Sequence, residues 1–365
     1  MKKEWILTMA LAMCLFDMPA AAVDAPQVSA EAAIVMHADT GTVLWEKNAD
    51  DQMLIASTTK IMTALIAVEN CDLAQEVTIA PEWAAVEGSS MYLKAGKTYT
   101  LEELLYGMML SSGNDAATAV ACHVAGDVDA FAALMNEKAE ELGLTATSFE
   151  NPHGLDSPDH HSTARDMAKL AAYAMANEDF ARIVGTRNVE IQGLTYVNHN
   201  KLLWQCEGVI GVKTGYTMAA GRTLVSCCER DGTRYICVTL NDRDDWDDHK
   251  ALYEWAFGEY TYALAASPDE GVELPLVSET GETVTVYPKE EVRVLVGPED
   301  VVECAVKLPR FVFPGVEAGD VAGELEVTVN GEVRGGTAYI FENGIALPSS
   351  GKLTLPQMLG NDESI

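Results

Sequence analysis

The spacing of apolar residues switches back and forth along the chain, and the order of the switches leaves few architectures open. Ala32 to Val35 and Val43 to Trp45 read as short strands, separated by the turn chemistry of Asp39-Thr40-Gly41. From Ser57 the period becomes helical, with Ile61, Met62, Leu65, Ile66 and Val68 close to one face. Thr100 and Glu103 form a Thr-x-x-Glu capping box ahead of a helix that ends near Leu110. That helix breaks at Ser111-Ser112-Gly113-Asn114, and Asp115 is placed to cap the next helix through Val120. Two more helical stretches follow, Val128 to Leu142 and Ala164 to Met175. The period shortens again from Val189. Val209 to Val212, Thr223 to Cys228 and Tyr235 to Leu240 read as strands, and Asp248 to Phe257 closes the region as a helix. Strands, many helices, strands and a helix predict an α+β domain: an antiparallel sheet with a helical cluster beside it.

At 365 residues the chain is long for one core, which rarely grows past ~250–300 residues. The composition shifts near residue 265, where Ala265-Ala266-Ser267-Pro268 reads as a linker. Beyond it come short alternating runs: Thr283 to Tyr287, Val292 to Val296, Glu303 to Leu308 and Leu325 to Val329. Asn330-Gly331 is a strong hairpin turn, since both residues tolerate positive φ. A first domain over residues 23–264 and a small all-β domain over 265–347 are expected.

The ends carry separate expectations. Lys2 and Lys3, the apolar run from Trp5 to Phe16 and the small residues Ala20 to Ala22 read as a signal peptide over residues 1–22. That run of 12 residues makes a helix of roughly 18 Å, too short for a ~30 Å hydrocarbon core. The protein is therefore expected to be exported. Residues 348–365 form a polar tail with Pro356, Gly360, Asp362 and Glu363, unsuited to an amphipathic membrane anchor. The 24 basic and 56 acidic residues give a net charge of -32. No nucleic-acid partner is expected, because binding to phosphates needs a basic face. Removing the leader would leave seven cysteines, Cys71, Cys122, Cys206, Cys227, Cys228, Cys237 and Cys304, with no Cys-x-x-Cys spacing and no disulfide framework. Cys227 and Cys228 read as buried small hydrophobes.

The chemistry concentrates in three short segments. In Ser57-Thr58-Thr59-Lys60 the serine and lysine lie three apart at a helix start, on one face. A serine hydroxyl needs a base, and a lysine serves if desolvation or a nearby cation keeps it neutral. The helix N-terminus adds donors where an oxyanion develops. Ser112-Gly113-Asn114 sits in a break between helices, where side chains can project into a cleft. Lys213-Thr214-Gly215 follows a strand-like run, where the bland alternative is a strand end with a turn glycine. Ser-x-x-Lys, a Ser-x-Asn triplet and Lys-Thr-Gly, in this order, are the signature of penicillin-recognising serine enzymes.

With Asn151-Pro152-His153-Gly154-Leu155-Asp156 and Ser162-Thr163-Ala164-Arg165-Asp166, these segments make the chain resemble the D-alanyl-D-alanine carboxypeptidases, low-molecular-mass penicillin-binding proteins, over roughly residues 31 to 345. The resemblance implies a penicillin-recognising transpeptidase/β-lactamase-like domain followed by a β-rich domain. It implies removal of the terminal D-Ala from peptidoglycan stem pentapeptides through an acyl-enzyme on Ser57, and covalent inhibition by β-lactams. It makes Lys60 the base and gives Ser112 the proton for the leaving amine. Asn114 orients Lys60 and the substrate amide. Lys213 keeps Lys60 less basic and, with Thr214, meets the substrate's terminal carboxylate. Gly215 completes that triad, and the backbone N–H groups of Ser57 and Tyr216 form the oxyanion hole. Arg243 is a weaker carboxylate-binding candidate.

No cofactor and no metal are expected. His153, His160 and His161 lack the spacing of a metal helix, and the resemblance places His153 in a structural turn. Two other readings stay open. A β-lactamase-like hydrolase would need a Glu to activate the deacylating water; Glu150 precedes Asn151, but this segment matches the carboxypeptidase Asn-Pro-His-Gly pattern instead. A non-enzymatic wall-binding protein would carry the same fold with an idle site.

Overall fold

The computed structural model describes residues 9–10, 23–278 and 281–347; the expected signal peptide, apart from Met9 and Ala10, and the polar tail lie outside them. The contacts divide the chain into two units, Asp24–Ala256 and the residues from Phe257 onward together with those up to Val23.

The first unit is built on a five-stranded antiparallel sheet. Its strands are β1 (Ala32–His37), β2 (Val43–Lys47), β3 (Val209–Thr217), β4 (Gly221–Arg230) and β5 (Thr233–Leu240), in the order β2-β1-β5-β4-β3. All neighbours run antiparallel, with Ile34 opposite Val238 and Lys213 opposite Val225. β3 is therefore an edge strand, and Lys213-Thr214-Gly215 lies inside it rather than beyond its end.

Alternation along the strands buries both faces of the sheet. Ile34, Val225, Cys227, Ile236 and Val238 enter the main core with the helices. Between β2 and β3 the chain makes α1 (Lys60–Asn70), α2 (Leu101–Leu110), α3 (Asn114–Ala125), α4 (Val128–Glu141), α5 (Ala164–Met175) and α6 (Glu178–Gly185). On the other face Ser226 and Thr239 meet α7 (Asp245–Glu259): His249 bonds Ser226 Oγ at 2.7 Å and Thr239 Oγ1 at 3.0 Å. Cys227 and Cys228 are both fully buried, on opposite faces of β4. α1 is buried at every position from Lys60 to Ala67, which marks it as the helix around which the others pack.

Helix ends follow local chemistry. The capping box at α2 is present: Glu103 N donates to Thr100 Oγ1 at 3.1 Å, and Thr100 N to Glu103 Oε2 at 2.9 Å. α3 departs from expectation. Its cap residue is Gly113, with no side-chain cap, and Asp115 lies within the first turn. The Asp115 carboxylate instead reaches back across the chain. It accepts from Ser90 Oγ at 2.7 Å, Met91 N at 3.0 Å and Leu93 N at 3.0 Å. A fully buried carboxylate thus holds the 90–93 segment over the start of α3.

The second unit is all-β. β6 (Thr261–Ala266), β7 (Val272–Pro275), β8 (Thr283–Pro288), β9 (Val292–Val296), β10 (Val302–Lys307), β11 (Val321–Val329) and β12 (Glu332–Phe341) form it. One sheet runs β10-β11-β12-β8-β7, with Met9–Ala10 paired to the outer edge of β10; β6 and β9 form a second pair. Asn330 and Gly331 take φ of 53° and 80° and join β11 to β12 as the expected two-residue turn. Ala265 and Ala266 lie in β6, so the expected linker is partly strand. Val286, Leu325, Val327 and Phe341 anchor a core belonging to this unit.

Replacing Asp115 with Ala leaves the N–H groups of Met91 and Leu93 buried without their acceptor. At ~1–3 kcal/mol for each orphaned group, a loss of roughly 3 kcal/mol is expected. Urea unfolding should show a lower midpoint with an unchanged slope.

Candidate active site

The site begins at a tight turn of 3-10 helix, Ala56–Thr59, that runs into α1. Three residues along, Lys60 lies on the same side as Ser57, and its Nζ stands 2.9 Å from Ser57 Oγ. Nζ also donates to Asn114 Oδ1 at 2.8 Å and to the main-chain oxygen of His153 at 2.6 Å. Asn114 Nδ2 donates to Glu87 O at 2.7 Å, which fixes the amide so that its oxygen faces the lysine. Both the Asn114 and His153 oxygens can only accept. A neutral amine therefore directs its two N–H bonds to them and turns its lone pair toward the Ser57 hydroxyl.

Electrostatics favour that neutral state. Lys60 is fully buried, and burial drives its pKa well below 10.5; the Lys213 cation pushes the same way, and Asp115 opposes. Burial is the larger cause and Lys213 the second. Lys213 is itself 1% exposed, and burial pushes it down to about 7. Its Nζ donates to Thr214 O at 2.9 Å.

The turn that holds Ser57 is pressed from two sides. Ala56 is buried with φ of 47°, a left-handed conformation uncommon for a residue with a Cβ. Gly154, at φ of 86°, packs against it; a Cβ there would lie 1.8 Å from Ala56 O. From β3, a Cβ on Gly215 would stand 2.9 Å from Ser57 N and 2.4 Å from Thr223 Oγ1. Gly215 has no positive φ, so it is not a turn glycine; it is needed because strand and helix start nearly touch. Thr223 Oγ1 closes the seam by donating to Ile55 O at 3.1 Å.

The other expected residues fall as follows. Ser112 sits in the break between α2 and α3, buried, with φ of 60°. Thr214 is half-buried in β3, and Tyr216, two residues on in the same strand, is 64% exposed. Arg243 is exposed, and among the described residues it forms no ion pair. Its backbone N donates to Ser29 Oγ at 3.2 Å. The Glu150 carboxylate holds the 157–159 turn, accepting from Ser157 Oγ and from Asp159 N at 3.2 Å. The seven cysteines outside the leader are free thiols.

Sequence reasoning missed Asp115 as an anchor, the His153 carbonyl as a partner of Lys60, and Thr63, whose hydroxyl donates to Pro152 O at 2.6 Å. Asn151 builds the turn that presents that carbonyl, accepting from Gly154 N at 2.7 Å and donating to Leu155 O at 2.9 Å. The sequence signal for this turn was the Asn151-Pro152-His153-Gly154 segment, which the resemblance makes a structural turn.

A family model described as D-alanyl-D-alanine carboxypeptidase matches residues 19–244. The chain belongs to this family. The D-alanyl-D-alanine carboxypeptidase DacC of Escherichia coli is 38% identical over 264 residues, covering 68% of this chain and 66% of that protein. DacF of Bacillus subtilis, also a D-alanyl-D-alanine carboxypeptidase, is 31% identical over 321 residues, covering 83% of this chain and 82% of its own. Penicillin binding protein 5 from Haemophilus influenzae superposes with a TM-score of 0.71 at 25% identity, over 89% of this chain and 100% of that one. As a member of the D-alanyl-D-alanine carboxypeptidase family, the chain is a serine-type peptidase with the transpeptidase/β-lactamase-like fold of penicillin-binding proteins.

In this D-alanyl-D-alanine carboxypeptidase family member, replacing Lys213 with Ala removes a cation that lowers the Lys60 pKa. The acidic limb of kcat/KM, which reports the base in the free enzyme, should then move to higher pH. It should stay well below 10.5, because burial remains. A pH–rate profile of the variant against the unsubstituted protein checks both statements.

Proposed function

We propose that this chain removes the terminal D-Ala from peptidoglycan stem pentapeptides, with Ser57 as nucleophile and Lys60 as its base. The reading is carried by the buried Lys60 amine, 2.9 Å from Ser57 Oγ, with its other directions taken by acceptors. As Oγ attacks the carbonyl of the penultimate D-Ala, Lys60 takes the hydroxyl proton. The N–H groups of Ser57 and Tyr216 hold the oxyanion, in a gap kept narrow by Gly215. Collapse breaks the peptide bond: Ser112 passes its proton to the departing amine of D-Ala and takes one back from Lys60, which returns to the neutral amine. Water then attacks the acyl-serine and gives a proton to Lys60, which hands it to Ser57 Oγ as the ester bond breaks, releasing the shortened peptide and restoring the Ser57 hydroxyl. Lys213 and Thr214 meet the terminal carboxylate, a local cation suited to an anionic peptide on an otherwise acidic protein. β-Lactams enter by the same acylation and stay as adducts. Such substrates lie outside the cytoplasm, and the leader-like first 22 residues support export to the wall.

The test is the intact mass after incubation with benzylpenicillin. One adduct per chain, mapped to the peptide carrying Ser57, is expected, and Ser57→Ala should take up none. An adduct on any other residue would remove the assignment. Release of D-Ala from a peptide ending in D-Ala-D-Ala, absent in Ser57→Ala, would complete it.

A further inference from the structure

The histidine at position 160 has no part in the chemistry above, yet it is 1% exposed and lies against the nucleophile's turn. Its two ring nitrogens are both engaged. Nδ1 accepts from Glu150 N at 3.0 Å, so that nitrogen carries no proton. The proton is therefore on Nε2, 2.7 Å from Thr59 Oγ1, and the ring is the donor there. Thr59 Oγ1 passes the polarity on by donating to Ala56 O at 2.8 Å. That oxygen and Ser57 N belong to one peptide plane. With its carbonyl end tied down, the plane cannot rotate without breaking the chain of bonds.

The tie matters because of what surrounds the plane. Ala56 holds a left-handed φ, which the backbone would relax if released. Gly154 gives the carbonyl room on one side, and Gly215 approaches Ser57 N on the other. The N–H of Ser57 lies in the first helical turn, where no residue of the helix stands behind it to accept.

We propose that His160 is a positioning residue for acylation: through Thr59 it locks the Ala56–Ser57 peptide plane so that the Ser57 N–H faces the developing oxyanion. This rests on the assignment of Ser57 as nucleophile and oxyanion donor made above. Burial holds the imidazole neutral, with a pKa down at about 4 although Glu150 and Asp156 pull it up; His161 adds to the lowering. The tautomer is therefore constant through neutral pH.

The test compares side chains that split the two bonds of the ring. Gln at 160 places an amide N–H at the reach of Nε2; Asn places its amide at the reach of Nδ1 and cannot reach Thr59. In His160→Asn and Thr59→Val, the first-order acylation rate by benzylpenicillin should fall about tenfold, the value of one lost hydrogen bond. The dissociation constant of the noncovalent complex should stay unchanged, because the plane acts only as charge develops. His160→Gln and Thr59→Ser should restore most of the rate. The double variant His160→Asn/Thr59→Val should be no slower than Thr59→Val alone, since both cut one chain. Circular dichroism and thermal melts confirm that each variant is folded. Wild-type acylation in folded His160→Asn would overturn the proposal, as would additive losses in the double variant or a loss confined to noncovalent binding. Adduct formation on Ser57 in every variant, however slow, keeps this test separate from that of the nucleophile itself.

Discussion

Burying the Lys60 amine is the constraint to which the rest of the catalytic unit answers. An ammonium in a dry interior is strongly disfavoured unless it is paired and fully hydrogen-bonded. Among the described residues no carboxylate bonds Lys60; its partners are an amide oxygen, a peptide oxygen and the Ser57 hydroxyl. Such a setting solvates a neutral amine and leaves a cation poorly compensated. Keeping it requires that α1 sit at the centre of the helical core, that Asn114 be pinned by Glu87 O, and that the Asn151 turn present its oxygen inward. A second buried lysine in β3 adds to the effect from across the seam.

Much of the fold was legible because it is local. The α2 capping box, the single face shared by Ser57 and Lys60, and the Asn330-Gly331 turn each rest on residues within four positions. The strands Thr223 to Cys228 and Tyr235 to Leu240 were read a few residues short at their polar ends, where alternation fades. Misreadings came where a residue serves a distant segment. Asp115 has the composition of a cap, but besides Ala116 N its carboxylate serves residues 90 to 93, whose approach no local pattern announces. Gly215 reads as a turn glycine until the helix start that lies against it is placed. The site showed the same division. Ser57, Lys60 and Asn114 were legible as motif members and meet in space. The His153 carbonyl carries no residue-type signal, since every residue has one.

The sheet separates two kinds of polar interior. On the helical face the buried polar groups gather at Lys60 and are oriented toward chemistry. On the α7 face Ser226, Thr239, His249 and Tyr253 bond one another, with Tyr253 Oη 2.6 Å from Ser226 Oγ. Burial holds the His249 pKa down at about 3, so it packs as a neutral ring. Closed networks of this kind satisfy themselves and fix side-chain positions without leaving a group free to react.

The main-chain oxygen of residue 153 has a consequence for how such an enzyme can drift. A ligand supplied by a side chain disappears with one codon change, whereas a carbonyl is present whatever residue is encoded. Selection for a slower or drug-insensitive lysine therefore finds no single substitution at position 153 that deletes the contact. The accessible route lies through the loop's shape, at Asn151, which holds the turn, or at Gly154, where a side chain also displaces the Ala56 carbonyl and with it Ser57. Loss of the contact and loss of the serine's geometry are thus coupled in one mutational step, which narrows the paths by which a descendant could keep one and discard the other.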